Sequence, residues 1–477
     1  TQGVSSAASD VYKRQTYNMY SKYFKEGRTV MKLKRILAAG LILSMTAGMA
    51  MTGCGKKEEG KASIYYLNFK PEVAKQWEEI AKEYKKETGV EVKVVTAASG
   101  TYESTLKSEV AKKNPPTLFQ VNGPIGYHNW KDYCLDLADT EVYNNLTDKD
   151  MAIRGVDGKG VYGIPYVVEG YGIIYNDAIM KKYFALPQKA VEIGSAEEIK
   201  DFETLKAVVE DMTRHKDELG IEGVFSSTSF AAGEDWRWQT HLANVPIYYE
   251  YQESGVTDKE KIDFTYNKNF QNIFDLYLNN SCTEPGLVGS KTVEDSMAEF
   301  ALGKSAMVQN GNWGWGQVSD VKGNVVKEED VKFLPIYTGM DEDAKQGLCI
   351  GTENFWCVNS KVDEAKRQAA IEFLNWLTNE EKGKKEMVKL GFISPFKTFG
   401  EDEQPDDPLA KEVVRYMNDN GLKTISWNFT SFPSQTFKDN FGASLLEYAQ
   451  GSKEWKAVVS DMKKDWAAEK ANSSDGE

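Results

Sequence analysis

Histidine and cysteine are scarce in this 477-residue chain, which holds three of the first and five of the second. His128, His215 and His241 share no motif spacing, so the sequence spells neither a histidine metal site nor a histidine-centred catalytic pair. Cys134, Cys282, Cys349 and Cys357 are too scattered for a zinc site or a redox motif. They read as plain buried thiols, although a turn after Cys349 would bring it within reach of Cys357. No metal and no cofactor is expected. Basic residues are also in deficit, 58 Lys+Arg against 72 Asp+Glu, which disfavours nucleic-acid binding and docking on anionic lipid. No nucleophile elbow, metal-binding helix or phosphate-cradling glycine loop is present. No internal repeat is visible.

Long apolar runs are missing as well, with one informative exception. Lys32, Lys34 and Arg35 precede an uncharged apolar stretch over residues 36–51, and small residues then lead to Cys54. Such a stretch, of about 16 residues, is short of the ~20 that a membrane-crossing helix needs, and it has the layout of a secretory signal. Its ending, Met51-Thr-Gly-Cys54, resembles a bacterial lipoprotein box, with Met51 where leucine is usual. The resemblance implies lipidation of Cys54, so that the membrane is met only through the lipid. Residues 1–30 read as non-native upstream sequence, 31–53 as the signal peptide and 54–61 as a polar tether. From Cys54 onward the chain carries 50 basic and 70 acidic residues, a net charge near −20.

The 424 residues that remain suit two lobes of ordinary size. The domain opens with a strand-like run, Ile64-Tyr-Tyr-Leu67, and a turn through Asn68, Phe69 and Pro71. A helix follows, with Val73, Trp77, Ile80, Ala81 and Tyr84 on one face and Gly89 at its end. Residues 90–94 alternate as a second strand, which predicts a parallel strand-helix-strand unit. A second helix is expected over residues 101–113, stopped by Pro115 and Pro116 before a strand over 117–121. In open α/β sheets ligands sit beyond the carboxyl ends of strands, which marks Asn68, Phe69 and Asn122 as one side of a cleft. The tail, residues 471–477, reads as disordered.

Four segments carry a family likeness across the mature chain. They are the opening unit with Tyr84-Lys-Lys-Glu-Thr-Gly-Val90; residues 163–176, Gly-Ile-Pro-Tyr-Val-Val-Glu-Gly-Tyr-Gly-Ile-Ile-Tyr-Asn; residues 300–307 followed by Asn310-Gly-Asn-Trp-Gly-Trp315; and residues 369–377. In this order and spacing they resemble the extracellular solute-binding proteins of ABC importers, of the maltodextrin-binding, family 1 carbohydrate type. The resemblance implies an α/β, two-lobed periplasmic-binding-protein-like fold of type II, with lobe 1 from residues 62–167 and 354–399 and lobe 2 from 168–353 and 400–470. It further implies a monomer that captures a carbohydrate, an oligosaccharide in the main reading, and presents it to the importer's membrane subunits. The location would be the extracellular face of a Gram-positive-type cytoplasmic membrane.

A sugar ring offers an apolar face and a rim of hydroxyls, so its site calls for aromatic plates with planar donors and acceptors. The chain has 11 Trp and 24 Tyr to supply the plates. Trp313 matches the family's stacking tryptophan, although core packing would suit a tryptophan here too. Glu169 matches a carboxylate at the first crossing between lobes; a solvated hinge residue is its plain alternative. In Glu234-Asp-Trp-Arg-Trp238, Asp235 and Arg237 would grip hydroxyls while Trp236 stacks, against the alternative of a surface ion-pair cluster. Asn354, near the second crossing, would bond the sugar, and Trp427-Asn428 is a further possibility. A charged solute (polyamine, amino acid or chelate) and a lipid-anchored glycosidase with paired carboxylates remain the competing functions.

Overall fold

The computed structural model describes residues 62–155 and 157–474, so the signal, Cys54 and the tether lie outside the described residues. Two mixed sheets form the framework. The first has the order β2-β1-β3-β11-β5-β4: β1 Ile64–Asn68, β2 Val92–Thr96, β3 Leu118–Asn122, β4 Ile153–Arg154, β5 Val161–Pro165 and β11 Asn354–Val358. The second runs β12-β10-β6-β8-β7, with β9 alongside β6: β6 Glu169–Asn176, β7 Gly223–Phe225, β8 Ser305–Gly311, β9 Val331–Leu334, β10 Gln346–Gly351 and β12 Lys423–Ser426.

The opening unit forms as its pattern predicts. Trp77, Ile80, Ala81 and Tyr84 are the buried face of the helix Ala74–Thr88, and Gly89 closes it in the left-handed region (φ 75°), its N–H bonding the Lys85 carbonyl. Each such large side chain, fully buried, is worth about 1.5–3 kcal/mol of transfer free energy. β1 pairs β2 in parallel from Ile64 opposite Val92 to Asn68 opposite Thr96. The next helix is shorter than expected, Tyr102–Val110.

The chain leaves the first sheet between β5 and β6 and returns between β10 and β11. At the seam β6 pairs β10 antiparallel, Glu169 opposite Gly351, and the Val168 N–H donates to the Ile393 carbonyl at 2.8 Å. Strands β6 and β8 are buried along their whole lengths, which is the condition of strands covered on both faces.

Cys349 lies in β10 of the second sheet and Cys357 in β11 of the first; both are free, buried thiols, as the sequence reading expects, because the crossing carries them apart instead of turning back. One expectation needs correction. The final helix, Trp455–Ser474, runs through residues 471–474, where the composition suggested a disordered tail. It is held by Val458, Met462 and Trp466, buried against the second core.

Candidate ligand-binding cleft

The carboxyl ends of β1 and β3 face the second sheet. Asn68 is fully buried, and its side chain is spent on the turn it begins. Its amide donates to the Lys70 carbonyl (2.8 Å) and to Thr96 Oγ1 (3.1 Å), and its oxygen accepts from the Lys70 N–H (3.2 Å). Asn68 therefore positions Lys70 rather than offering hydrogen bonds to a ligand. Phe69 is half-buried, edge-on to Tyr102 at 5.1 Å between centroids, with its N–H bonded to Gln120 Oε1.

Lys70 reaches across to the other sheet. Its Nζ lies 2.8 and 3.0 Å from the two oxygens of Glu169, the first residue of β6. The side chains are only 6% and 1% exposed, so this ion pair is sealed from water. Burial alone would lower the Lys70 ammonium, but Glu169 and then Glu72 more than reverse that and hold it above its ordinary value. Glu169 is thus neither solvated nor free: its partner is a lysine of the opposite sheet.

The same ammonium stands 5.7 Å over the ring of Trp313. Trp313 follows β8 on a short 3-10 turn, Asn312–Gly314, which Asn312 anchors by accepting the Gly170 N–H at 2.9 Å. Gly311 makes the indole's place: a Cβ there would lie 2.1 Å from the Trp313 ring. Half-buried Trp313 is ringed by aromatics, with His241 at 5.5 Å, Trp236 at 6.2 Å, Trp427 at 6.4 Å and Tyr171 at 6.5 Å. His241 stacks on Tyr171 at 4.3 Å and 11°. Burial, and then Lys70, hold its imidazole well below its ordinary pKa, so it is a neutral plate in this wall.

Trp236 and His241 stand on an unusual support. Arg237–Leu242 is a π-helical turn that runs into the helix Ala243–Ser254. Pro246 inside that helix lacks the N–H that would bond Leu242, which favours the wider turn.

Arg237 departs from its expected role of gripping ligand hydroxyls. It is 1% exposed, and its guanidinium donates to the Gln309 carbonyl (3.0 Å), Ser229 Oγ (2.5 Å) and Ser296 Oγ (3.0 Å). Packing turned it inward because three oxygen acceptors from separate segments converge there. Asp235 is brought near the helix Gln435–Ala449, where Gly442 clears space for its carboxylate. Burial raises its pKa to about 6.

Asn122 and Asn354 meet each other, Asn354 Nδ2 donating to Asn122 Oδ1 at 2.7 Å. Beside them Gly123, at φ 63°, bonds the Glu353 carbonyl at 2.9 Å. A Cβ on Gly123 would sit 2.6 Å from the Thr430 Cβ, so the two halves touch here. Sequence reasoning missed Lys70, Tyr171, His241 and Phe429. The last, 5.0 Å from His241, lies next to the Trp427-Asn428 pair that the sequence did single out.

A family model described as bacterial extracellular solute-binding protein matches residues 79–412, and the chain belongs to that family. Solved structures agree in fold. A chitin oligosaccharide binding protein is similar at TM-score 0.66 and 19% identity, over 86% of this chain and 99% of that one. The binding protein RafE in complex with raffinose reaches TM-score 0.62 at 16% identity, over 86% and 100%. A sugar transporter from Bacillus licheniformis in complex with stachyose reaches 0.61 at 16%, again over 86% and 100%. No curated protein matches the chain. Among the described residues no helix is long and apolar enough to cross a membrane.

Proposed function

We propose that this protein captures an oligosaccharide between its two lobes and delivers it to an ABC importer, acting as a binder rather than an enzyme. One observation carries the reading: Trp313, at the mouth of the aromatic wall of Trp236, His241, Tyr171 and Trp427, lies opposite the turn that ends β1. Aromatic faces with few unpaired charges suit the apolar faces of successive sugar units. The chitin-oligosaccharide, raffinose and stachyose ligands of the similar structures support that choice of solute. Trp313, Trp236 and Phe69 would stack, while Asp235 and half-buried Asn122 would meet hydroxyls; Asn354, fully buried and bonded to Asn122, would position that residue instead of touching the sugar. A ligand touching both lobes would draw the population toward closure.

Lipidation of Cys54 would hold the receptor, as a monomer, on the extracellular face of a Gram-positive-type membrane. Conversion of Cys54 to Ser would then release it to the medium.

Titration of tryptophan fluorescence with chito-, malto- and raffinose-series sugars, and with polyamines, tests the solute. Saturable change with a sugar is expected; saturation with polyamine alone would remove the sugar reading. Chromatography of the same sugars after long incubation should return them uncut, and cleavage would instead favour a glycosidase.

A further inference from the structure

Cys134 follows the short 3-10 turn Lys131–Tyr133 and pairs with Asn359 in an isolated antiparallel bridge. The flanking bonds are Leu135 N–H to the Val358 carbonyl (2.9 Å) and Ser360 N–H to the Tyr133 carbonyl (2.7 Å). They make Cys134 and Asn359 a non-hydrogen-bonded pair, the closer kind, at about 4.5 Å between Cα atoms. Cys357 lies two residues before Asn359 and so on the same face of the pleat, diagonal to Cys134. The two thiols belong to one apolar cluster; burial, and then the neighbouring Cys134 thiol, push the Cys357 thiol well above its ordinary pKa. Both are free and buried, and Cys282 is the more exposed of the other thiols. Diagonal partners stand about 7–8 Å apart at Cα, slightly beyond the ~7 Å that a disulfide spans, so the bond requires the Cys134 segment, paired to Asn359 by a single bridge, to move toward β11.

We infer that Cys134 and Cys357 are a disulfide-forming pair, joined when the exported protein meets a thiol–disulfide oxidant. The extracellular setting of the family is where such bonds persist. In the reaction one cysteine thiolate attacks the oxidant's disulfide and expels one of its thiols. The second cysteine thiolate then attacks the mixed disulfide and expels the other. The two cysteines lose two protons and two electrons, and the two sulfurs of the oxidant's disulfide leave as thiols, one at each step. The product would tie the loop at residue 134 to β11, just beyond the second crossing.

The purified mature protein, reduced and then exposed to oxidised glutathione in the folded state, would be denatured in acid, alkylated and digested. A peptide linking Cys134 to Cys357 is expected, with the alkylatable thiols among the four described cysteines falling by two. Cys134→Ser should abolish the linked peptide and leave Cys357 alkylated. The inference is overturned if Cys282 forms a glutathione adduct while Cys134 and Cys357 both remain thiols, or if Cys357 links to Cys349. Unchanged circular dichroism in the variant keeps either result interpretable.

Discussion

Lys70 and Glu169, 99 positions apart in sequence, meet as a bidentate ion pair at 2.8 and 3.0 Å in the seam between the two sheets. The lysine comes from the turn after β1 and the glutamate from the first position of β6, so the pair exists only where the two halves are together. Removing one partner strands a buried charge, which costs about 3–5 kcal/mol.

Lys70→Met and Glu169→Gln should therefore each lower the urea midpoint markedly, and the double variant should lose less than the sum of the two. Strictly additive losses would show that the groups are unpaired in solution.

Trp313→Ala should weaken sugar binding by about tenfold or more, equivalent to ~1.4 kcal/mol per decade, with an unchanged circular dichroism spectrum. Gly311→Ala tests the same ring without touching it: the backbone there (φ −113°, ψ −179°) accepts alanine, so the conflict is with the indole alone. Displacement of the ring should cost affinity together with about 1–3 kcal/mol of stability. Isothermal titration with the best sugar found would place Trp313 in the core if neither variant binds more weakly.

Arg237→Met should cost stability rather than affinity, about 3 kcal/mol or more, because Ser229, Ser296 and the Gln309 carbonyl lose a shared donor. Arg237→Lys should recover little, since an ammonium lacks the planar fork that spans the three acceptors. Thermal melts and titrations on the same samples separate the two effects. Normal melting with lost binding would return Arg237 to the ligand.

Asp235 gives a pH signature. With its folded pKa raised to about 6 above an unfolded value near ~3.9, the folded state holds a proton that the unfolded state has released. Stability therefore falls as pH rises through that window, by at most about 3 kcal/mol in total. Asp235→Asn should gain on the parent protein between roughly pH 4 and 6, with the gain level above that. Urea melts across this range that stay parallel for the two proteins would refute it.

What was legible in the sequence depended on locality. The helix Ala74–Thr88 announced itself because its buried face recurs at helical spacing and Gly89 ends it. Residues 163–176 were readable as the first crossing only through their resemblance to the family's segment. Arg237 was not, since a run of charged and aromatic letters looks the same whether a fold turns it outward or inward. The Lys70–Glu169 pair and the meeting of Cys134 with Cys357 depend on which strands become neighbours, which no local pattern records. The π-turn under Trp236 left one faint sign, the proline at position 246.

Strand β11 lies between β3 and β5 in the middle of the first sheet, yet it is made after the whole of β6 to β10. A chain synthesised from its amino end thus carries a split sheet, with Val121 and Ile164 waiting on either side of an unfilled seam, until residue 358 has emerged. Premature completion of the first half is forbidden by connectivity alone. Such a polypeptide would still have its first sheet open until 358 of its 477 residues had passed through a narrow translocation pore.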